Sequence, residues 1–365
     1  MKTLRGLARL LTALVPALLL GGCNTVLLNP SGDVAAQQGR LIIQSTVLML
    51  LIVVPVIALT LLFAWRYRKS NTAADYRPDW DHSTQLELII WAAPLLIIIA
   101  LGALTWISTH TLDPYRQLRR IDTGRDVIPD TKPLVIQVVA LDWKWLFIYP
   151  EQGIALVNEV ASPVDRPIEF RLTSSSVMNA FYVPALAGMI YTMPGMETKL
   201  HAVINKPGDF EGFSSNYSGA GFSHMRFRFY GMNDADFDAW VAKNKTAGAG
   251  NEGALSREAY LKLAQPSEKE PVRRFASVDP GLYDAIFNRC VEANKMCMKD
   301  MMAIDANGGI GGAPGVYNLA SMDEATRKRL GISEIHTGKG RSYVAALCTP
   351  ANPDGALPSA EPTRQ

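Results

Sequence analysis

Charge of either sign is scarce in this chain. Asp, Glu, Lys and Arg make up 19% of 365 residues, and 36 basic residues against 34 acidic ones leave a formal net charge of +2. So small an imbalance provides no field for a polyanionic partner, which argues against nucleic acid. No Walker-type phosphate loop, H-E-x-x-H or G-x-S-x-G occurs, so the common nucleotide-binding, zinc-protease and serine-hydrolase signatures are excluded. Cysteine is rare at 4 residues, and hydrophobic residues reach 48%. That balance fits a chain that is part membrane and part aqueous.

Charges are missing altogether from two long stretches. Leu41–Trp65 runs 25 residues without one and Leu88–Thr109 runs 22. Each exceeds the roughly 20 residues a helix needs to cross a bilayer core. Pro55 and Pro94 fall inside them, as expected where neighbouring helices re-satisfy freed carbonyls. The segment between them, residues 66–85, carries Arg66, Arg68, Lys69 and Arg77, whereas the segment between Cys23 and the first span carries only Arg40. By the positive-inside rule this loop is cytoplasmic, which places both the preceding segment and everything after residue 110 outside.

At the N-terminus, Lys2, Arg5 and Arg9 precede an apolar run of 11 residues, Leu10–Leu20, too short to span unaided. Leu20-Gly21-Gly22-Cys23 follows, a small-residue cleavage site ending at a cysteine. It resembles a bacterial lipobox and predicts a signal peptide over 1–22 with Cys23 as the lipidated first residue; an ordinary signal with an incidental cysteine is the alternative. Glu87 opens the second span. By chemistry alone it is either an interfacial acid favoured by the helix dipole or a proton donor and acceptor at the membrane face.

From Pro133 the pattern changes to short runs such as Leu134–Ala140, Trp143–Tyr149, Ile168–Thr173, Thr198–Ile204 and Arg226–Tyr230, punctuated by Pro163, Pro167, Pro194-Gly195 and Pro207-Gly208. Many short strands between turn signals predict a sandwich or barrel. Helical stretches follow at Asp236–Trp240 and Arg257–Ala264. Beyond Met302 the composition turns to Gly, Pro and charge, as a tail without its own core does.

Within this domain lies Gly212–Met225, GFSSNYSGAGFSHM. A dinuclear copper loop takes two thiolates, an imidazole and a thioether, spaced C-x3-C-x3-H-x2-M, because soft sulfur and imidazole hold copper. Here Ser214, Ser218 and Phe222 occupy the first three positions and only Met225 is retained. The loop resembles that of subunit II of the heme–copper oxidases, in the branch without this copper, the cytochrome bo-type ubiquinol oxidases. The resemblance covers about residues 15–290. It extends to His82-x4-Glu87-x3-Trp91-x2-Pro94, to Asp142-Trp143-Lys144-Trp145, to Ser176-Val177-Met178-Asn179, and to the words P-S-E at 266–268 and F-A-S-V-D-P-G-L-Y at 275–283.

What the resemblance implies is two transmembrane helices followed by an all-β cupredoxin-like Greek-key sandwich and a small helical arm. The divisions expected are a signal peptide at 1–22, an N-terminal periplasmic segment at 23–40, helices at 41–65 and 86–109 joined by a cytoplasmic loop at 66–85, and a linker at 110–132. The sandwich is expected at 133–232, the arm at 233–302 and a disordered tail at 303–365. Asn179 stands where copper-bearing relatives have a histidine, and Asn216 where they have a carboxylate, so the degenerate copper positions are Asn179, Ser214, Asn216, Ser218, Phe222 and Met225. Trp143 and Trp145 match an aromatic segment near the electron-receiving surface of those relatives; with no copper behind them they are read as packing residues. Glu87 matches a glutamate at the cytoplasmic mouth of a proton path.

The implied function is that of a subunit of a proton-translocating complex that oxidises ubiquinol and reduces oxygen to water. This chain would hold no redox centre, with heme b, a heme o-type heme and copper in the large subunit I. Its partners would be that subunit, small membrane subunits, membrane lipids and the ubiquinol bound by the complex. It would be lipid-anchored and multi-pass in the bacterial inner membrane with its aqueous domain in the periplasm. A copper-bearing cytochrome c oxidase subunit and a non-catalytic membrane lipoprotein are the alternatives. His110, His201 and His224 are read as surface or hydrogen-bonded histidines. Of Cys290, Cys297 and Cys348, the first two are close enough in sequence to form the expected disulfide, against a rival copper site at Met296-Cys297-Met298 with Met301 and Met302.

Overall fold

The computed structural model describes residues 25–75, 79–129, 131–250, 252–293 and 295–306; Cys23, the signal segment and the chain beyond 306, with Cys348, lie outside them. The chain forms two compact units, Met1–Arg116 with Pro184–Gly188, and Gln117–Val183 with Met189–Gln365.

The first unit holds two long helices, α1 (Asp33–Arg66) and α2 (Thr84–Thr111), which lie against each other. Both are long and apolar enough to cross a bilayer. Each continues past its charge-free stretch: α1 begins eight residues earlier, at Asp33, where an acid suits the positive end of the helix dipole. Its first turn is satisfied by the segment Pro184–Gly188, since Ser31 and Gly32 N–H donate to the Ala185 carbonyl at 2.9 and 2.8 Å and Ala35 N–H to Leu186 at 3.4 Å. Polar side chains inside the helices bond back one turn, Thr60 to Val56 at 2.7 Å and Ser108 to Leu104 at 2.7 Å. Leu88, Leu96, Trp91 and Trp106 stand exposed on α2, an arrangement stable only against lipid or protein.

The second unit opens with a hairpin, β1 (Arg120–Asp122) and β2 (Arg125–Asp126), inside the stretch expected as linker. Arg125 anchors it, pairing with Asp122 and with Asp165 at 2.8 Å. The sandwich strands follow as β3 (Leu134–Leu141), β4 (Lys144–Tyr149), β5 (Ile154–Val157), β6 (Glu159–Pro163) and β7 (Ile168–Ser174). They continue as β8 (Asn179–Tyr182), β9 (Ile190–Thr192), β10 (Thr198–Ala202), β11 (Gly208–Ser214) and β12 (Arg226–Met232). Later come α3 (Asp234–Gly250), β13 (Ala254–Leu255), α4 (Arg257–Leu263), β14 (Arg273–Phe275), β15 (Ser277–Val278), α5 (Leu282–Phe287) and α6 (Met298–Ala306).

One sheet runs β10-β7-β3-β4-β5-β14 and the other β6-β12-β11-β8-β9. The pairs β3–β7 and β6–β12 are parallel, which requires crossovers between the sheets rather than hairpins alone. The sixth strand of the first sheet, β14, comes from beyond the expected end of the sandwich at 232 and pairs with β5 through Arg273↔Val157 and Phe275↔Ala155.

β4 is buried at every position because it feeds two cores. With a period of two, Trp145 and Phe147 meet Phe181 and Phe227 between the sheets, at ring-centroid distances of 5.0–6.4 Å. Leu146 and Ile148 point the other way, into a cluster with Leu255, Tyr260, Leu263, Phe275 and Ile286 of the arm. Each large side chain so buried is worth about 1.5–3 kcal/mol, so the arm is an integral second core layer. Several polar groups at the seam are paired across it. Lys144 Nζ donates to the Gln265 carbonyl at 2.7 Å and to Ser267 Oγ at 2.6 Å, and Asn158 links Trp145 N–H to the Glu270 carbonyl. Burial pushes the Lys144 ammonium below its ordinary value, against the pull of Glu270 and Asp142. Cys290 and Cys297 form a disulfide, both buried, with Cα atoms 4.8 Å apart.

Candidate functional site

Two places carry the sequence-predicted site residues, one in each unit. In the second unit, β11 ends at Ser214 and β12 begins at Arg226, so the intervening loop caps one end of the sandwich. Asn179 opens β8 and lies beside it, since Ser214 Oγ donates to Asn179 Oδ1 at 3.2 Å and Ser215 N–H donates to the Ala180 carbonyl at 3.0 Å. Ser214 N–H donates to the Met225 carbonyl at 3.1 Å, closing the loop at its base, and the Met225 side chain is fully buried. Asn216 turns its amide to the Met178 carbonyl at 3.0 Å.

The structure therefore gathers Asn179, Ser214 and Asn216 and brings the Met225 backbone to Ser214. Phe222 and Ser218 take other roles. Phe222 begins a short 3-10 turn, Phe222–His224, and packs against Tyr217 with ring centroids 5.6 Å apart. Ser218 Oγ is shielded from solvent and has no hydrogen-bond partner among the described residues.

This donor set does not fit copper. Hydroxyls and amides bonded to one another, a phenyl ring and one thioether offer no thiolate and no imidazole. Among the described residues no three His, Cys, Asp or Glu side chains come together as a metal cluster. His224 is exposed on the loop, His201 is buried with Nε2 3.9 Å from Glu169, and His110 Nδ1 lies 2.8 Å from the Trp106 carbonyl. Cys297 is tied to Cys290, so it cannot supply a thiolate to the rival site with Met296 and Met298.

In the first unit, Glu87 sits in the first turn of α2, where four backbone N–H groups and the helix dipole favour negative charge. Its Oε1 lies 2.8 Å from His82 Nδ1, and His82 Nε2 lies 3.2 Å from Thr84 Oγ1. Both side chains are more than half exposed, 54% for Glu87 and 61% for His82. The pair is a carboxylate and an imidazole in contact at the end of an apolar helix.

Sequence reasoning did not assign His82 as the partner of Glu87, although the i,i+5 spacing across a helix start was available. It also missed that Trp143 contacts the loop, where the indole Nε1 donates to the Ser218 carbonyl at 3.1 Å. The small residues of Ser218-Gly219-Ala220-Gly221 were the signal, because close approach of a large ring needs absent side chains.

Two families match this chain. The cytochrome c oxidase subunit II periplasmic domain matches residues 150–229, and the COX aromatic-rich motif matches 251–294. The cytochrome bo(3) ubiquinol oxidase subunit 2 of Pseudomonas aeruginosa is 52% identical over 277 residues, covering 76% of this chain and 80% of that protein. The ubiquinol oxidase subunit 2 of Acetobacter aceti is 50% identical over 285 residues, covering 78% and 89%. Among solved structures, the periplasmic domain of subunit II of cytochrome oxidase from Bradyrhizobium japonicum is 25% identical, with a TM-score of 0.31, and covers 33% of this chain and 99% of that one.

Proposed function

This chain belongs to the family of ubiquinol oxidase subunit 2, and from that premise we propose that it is the copper-free second subunit of a complex that oxidises ubiquinol, reduces oxygen to water and translocates protons. The observation that carries the copper-free reading is the bond from Ser214 Oγ to Asn179 Oδ1 at 3.2 Å, two hydroxyl and amide groups engaged with each other where thiolate and imidazole would be needed. Heme b, a heme o-type heme and copper belong on this reading to the large subunit. The chain's own work is to anchor, to cover that subunit's outer face and to hold Glu87 at a proton-uptake point.

Surface chemistry supports a docking role. Val177, Met178, Met189, Tyr191, Met196 and Tyr217 are all exposed. Bonds from Asn216 to Met178 and from Ser215 Oγ to Met189 Sδ at 2.7 Å draw part of this set around the loop. So much exposed apolar surface on a folded domain fits a protein contact. In the proton-uptake role, Glu87 takes a proton from the aqueous side and His82, in contact with it, holds the carboxylate in place and shares that proton. Both α1 and α2 cross the bacterial inner membrane on this reading, with residues 66–85 cytoplasmic, the sandwich and arm periplasmic, and Cys23 acylated.

Oxygen uptake by the complex that copurifies with this chain tests the assignment. Uptake with ubiquinol but not with reduced cytochrome c is expected. Uptake with cytochrome c would favour a copper-bearing subunit, and no uptake with either donor would favour a non-catalytic lipoprotein.

A further inference from the structure

Leu141 and Lys144 are paired across β3 and β4, so Asp142 and Trp143 alone make the turn between them. Trp143 has φ +64, a left-handed conformation ordinarily given to Gly or Asn at such a turn. A tryptophan there is unfavourable unless its side chain gains something the turn itself does not offer. Its gain is visible across 75 residues of sequence. The indole N–H donates to the Ser218 carbonyl at 3.1 Å. The ring face lies against Gly219 and Gly221: a Cβ at Gly219 would come within 3.1 Å of it, and one at Gly221 within 2.5 Å. Its neighbour Asp142 accepts from Ser176 Oγ. The turn thus reaches the two segments that also meet at Asn179 and Ser214.

We infer that Trp143 is a metal-independent clamp of the 212–225 loop: its indole, seated on Gly219 and Gly221 and bonded to Ser218, holds the loop in its native shape. The loop has no ligand set to organise it through a metal. Its base is closed by Ser214 N–H to the Met225 carbonyl at 3.1 Å, but from Gly219 onward its backbone bonds are those of one tight turn, Phe222 N–H to the Gly219 carbonyl at 3.2 Å, His224 N–H to Gly221 at 3.0 Å and Met225 N–H to Phe222 at 3.0 Å. A turn that short does not persist by itself in water. Trp143 is in this role a positioning residue for the surface the loop presents, and the role does not depend on the oxidase reading.

The test is hydrogen exchange at the Phe222, His224 and Met225 amides of the full chain in its native complex. Trp143→Ala is expected to speed exchange at these three about tenfold or more, the factor that one ordinary hydrogen bond commands, with β4 and β12 amides unchanged. Trp143→Phe, which keeps a ring on the glycines and loses the N–H, is expected to fall between. If Trp143→Ala does not assemble, Gly221→Ala decides: its methyl displaces the ring and must loosen the same amides. In the unaltered protein, dialysis against EDTA is expected to change nothing. Loop exchange within about twofold of the unaltered protein in Trp143→Ala, or in Gly221→Ala where that variant decides, would overturn the clamp. So would a rise spread evenly through the sandwich, or a rise on chelation.

Discussion

His82 Nδ1 lies 2.8 Å from Glu87 Oε1, which joins a residue just before α2 to the carboxylate of its first turn. With the proton on Nδ1 the imidazole donates to the carboxylate, and the contact sets the direction in which the carboxylate points.

On the proposed proton-uptake role, Glu87→Ala is expected to slow oxygen reduction severalfold with the complex intact, and His82→Ala to produce a smaller loss in the same direction. Turnover and proton translocation equal to the unaltered protein in an assembled Glu87→Ala complex would end that role.

Lipidation at Cys23 is expected to add acyl mass to the mature N-terminus, and Cys23→Ser is expected to lose it. Mass spectrometry of the N-terminal peptide reads this directly. The same mass in both proteins, after allowing for the substitution itself, would mean that the cysteine is incidental.

The Cys290–Cys297 disulfide closes a loop with a sequence separation of 7 between the end of α5 and the start of α6. Replacing both cysteines with serine is expected to destabilise the unit by about 2–3 kcal/mol through the freed unfolded chain, and to loosen α6 first. Denaturant unfolding followed by far-UV signal measures it. A midpoint unchanged from the disulfide-bonded protein would assign the stability to the hydrophobic cluster alone.

Lys144 carries a pH dependence of defined sign. Burial lowers its folded-state pKa below the ordinary 10.5, so the folded protein binds fewer protons than the unfolded one between the two values. Its buried charge therefore costs stability at neutral pH, and the cost is relieved as pH rises through the folded value toward 10.5. Relative to Lys144→Met, the unaltered protein is expected to gain in thermal midpoint along that alkaline limb. Parallel curves for the two proteins would contradict this account.

Some of this molecule is local and legible in the chain. The two charge-free stretches are long enough to span by counting, because hydrophobic length is additive along a helix and needs no partner to be recognised. The absence of copper ligands at Ser214, Ser218 and Phe222 is equally local, since neither serine nor phenylalanine supplies the thiolate or imidazole that a dinuclear copper site takes in any fold. Sheet membership is not local. The three residues of β14 have no alternation long enough to mark them, and they join the first sheet only because the arm packs on Leu146 and Ile148 and brings them to the free edge of β5.

The chain by itself determined the two apolar helices, the β character of the middle region and the chemistry missing from the 212–225 loop, because each follows from the side chains present over a short span. Only the tertiary structure decided that Trp143 lies on Gly219 and Gly221 and that Lys144 meets Gln265 and Ser267. Each of these joins residues on separate elements or across a loop, and which atoms meet is settled when burial of the shared core sets the register of the strands that carry them.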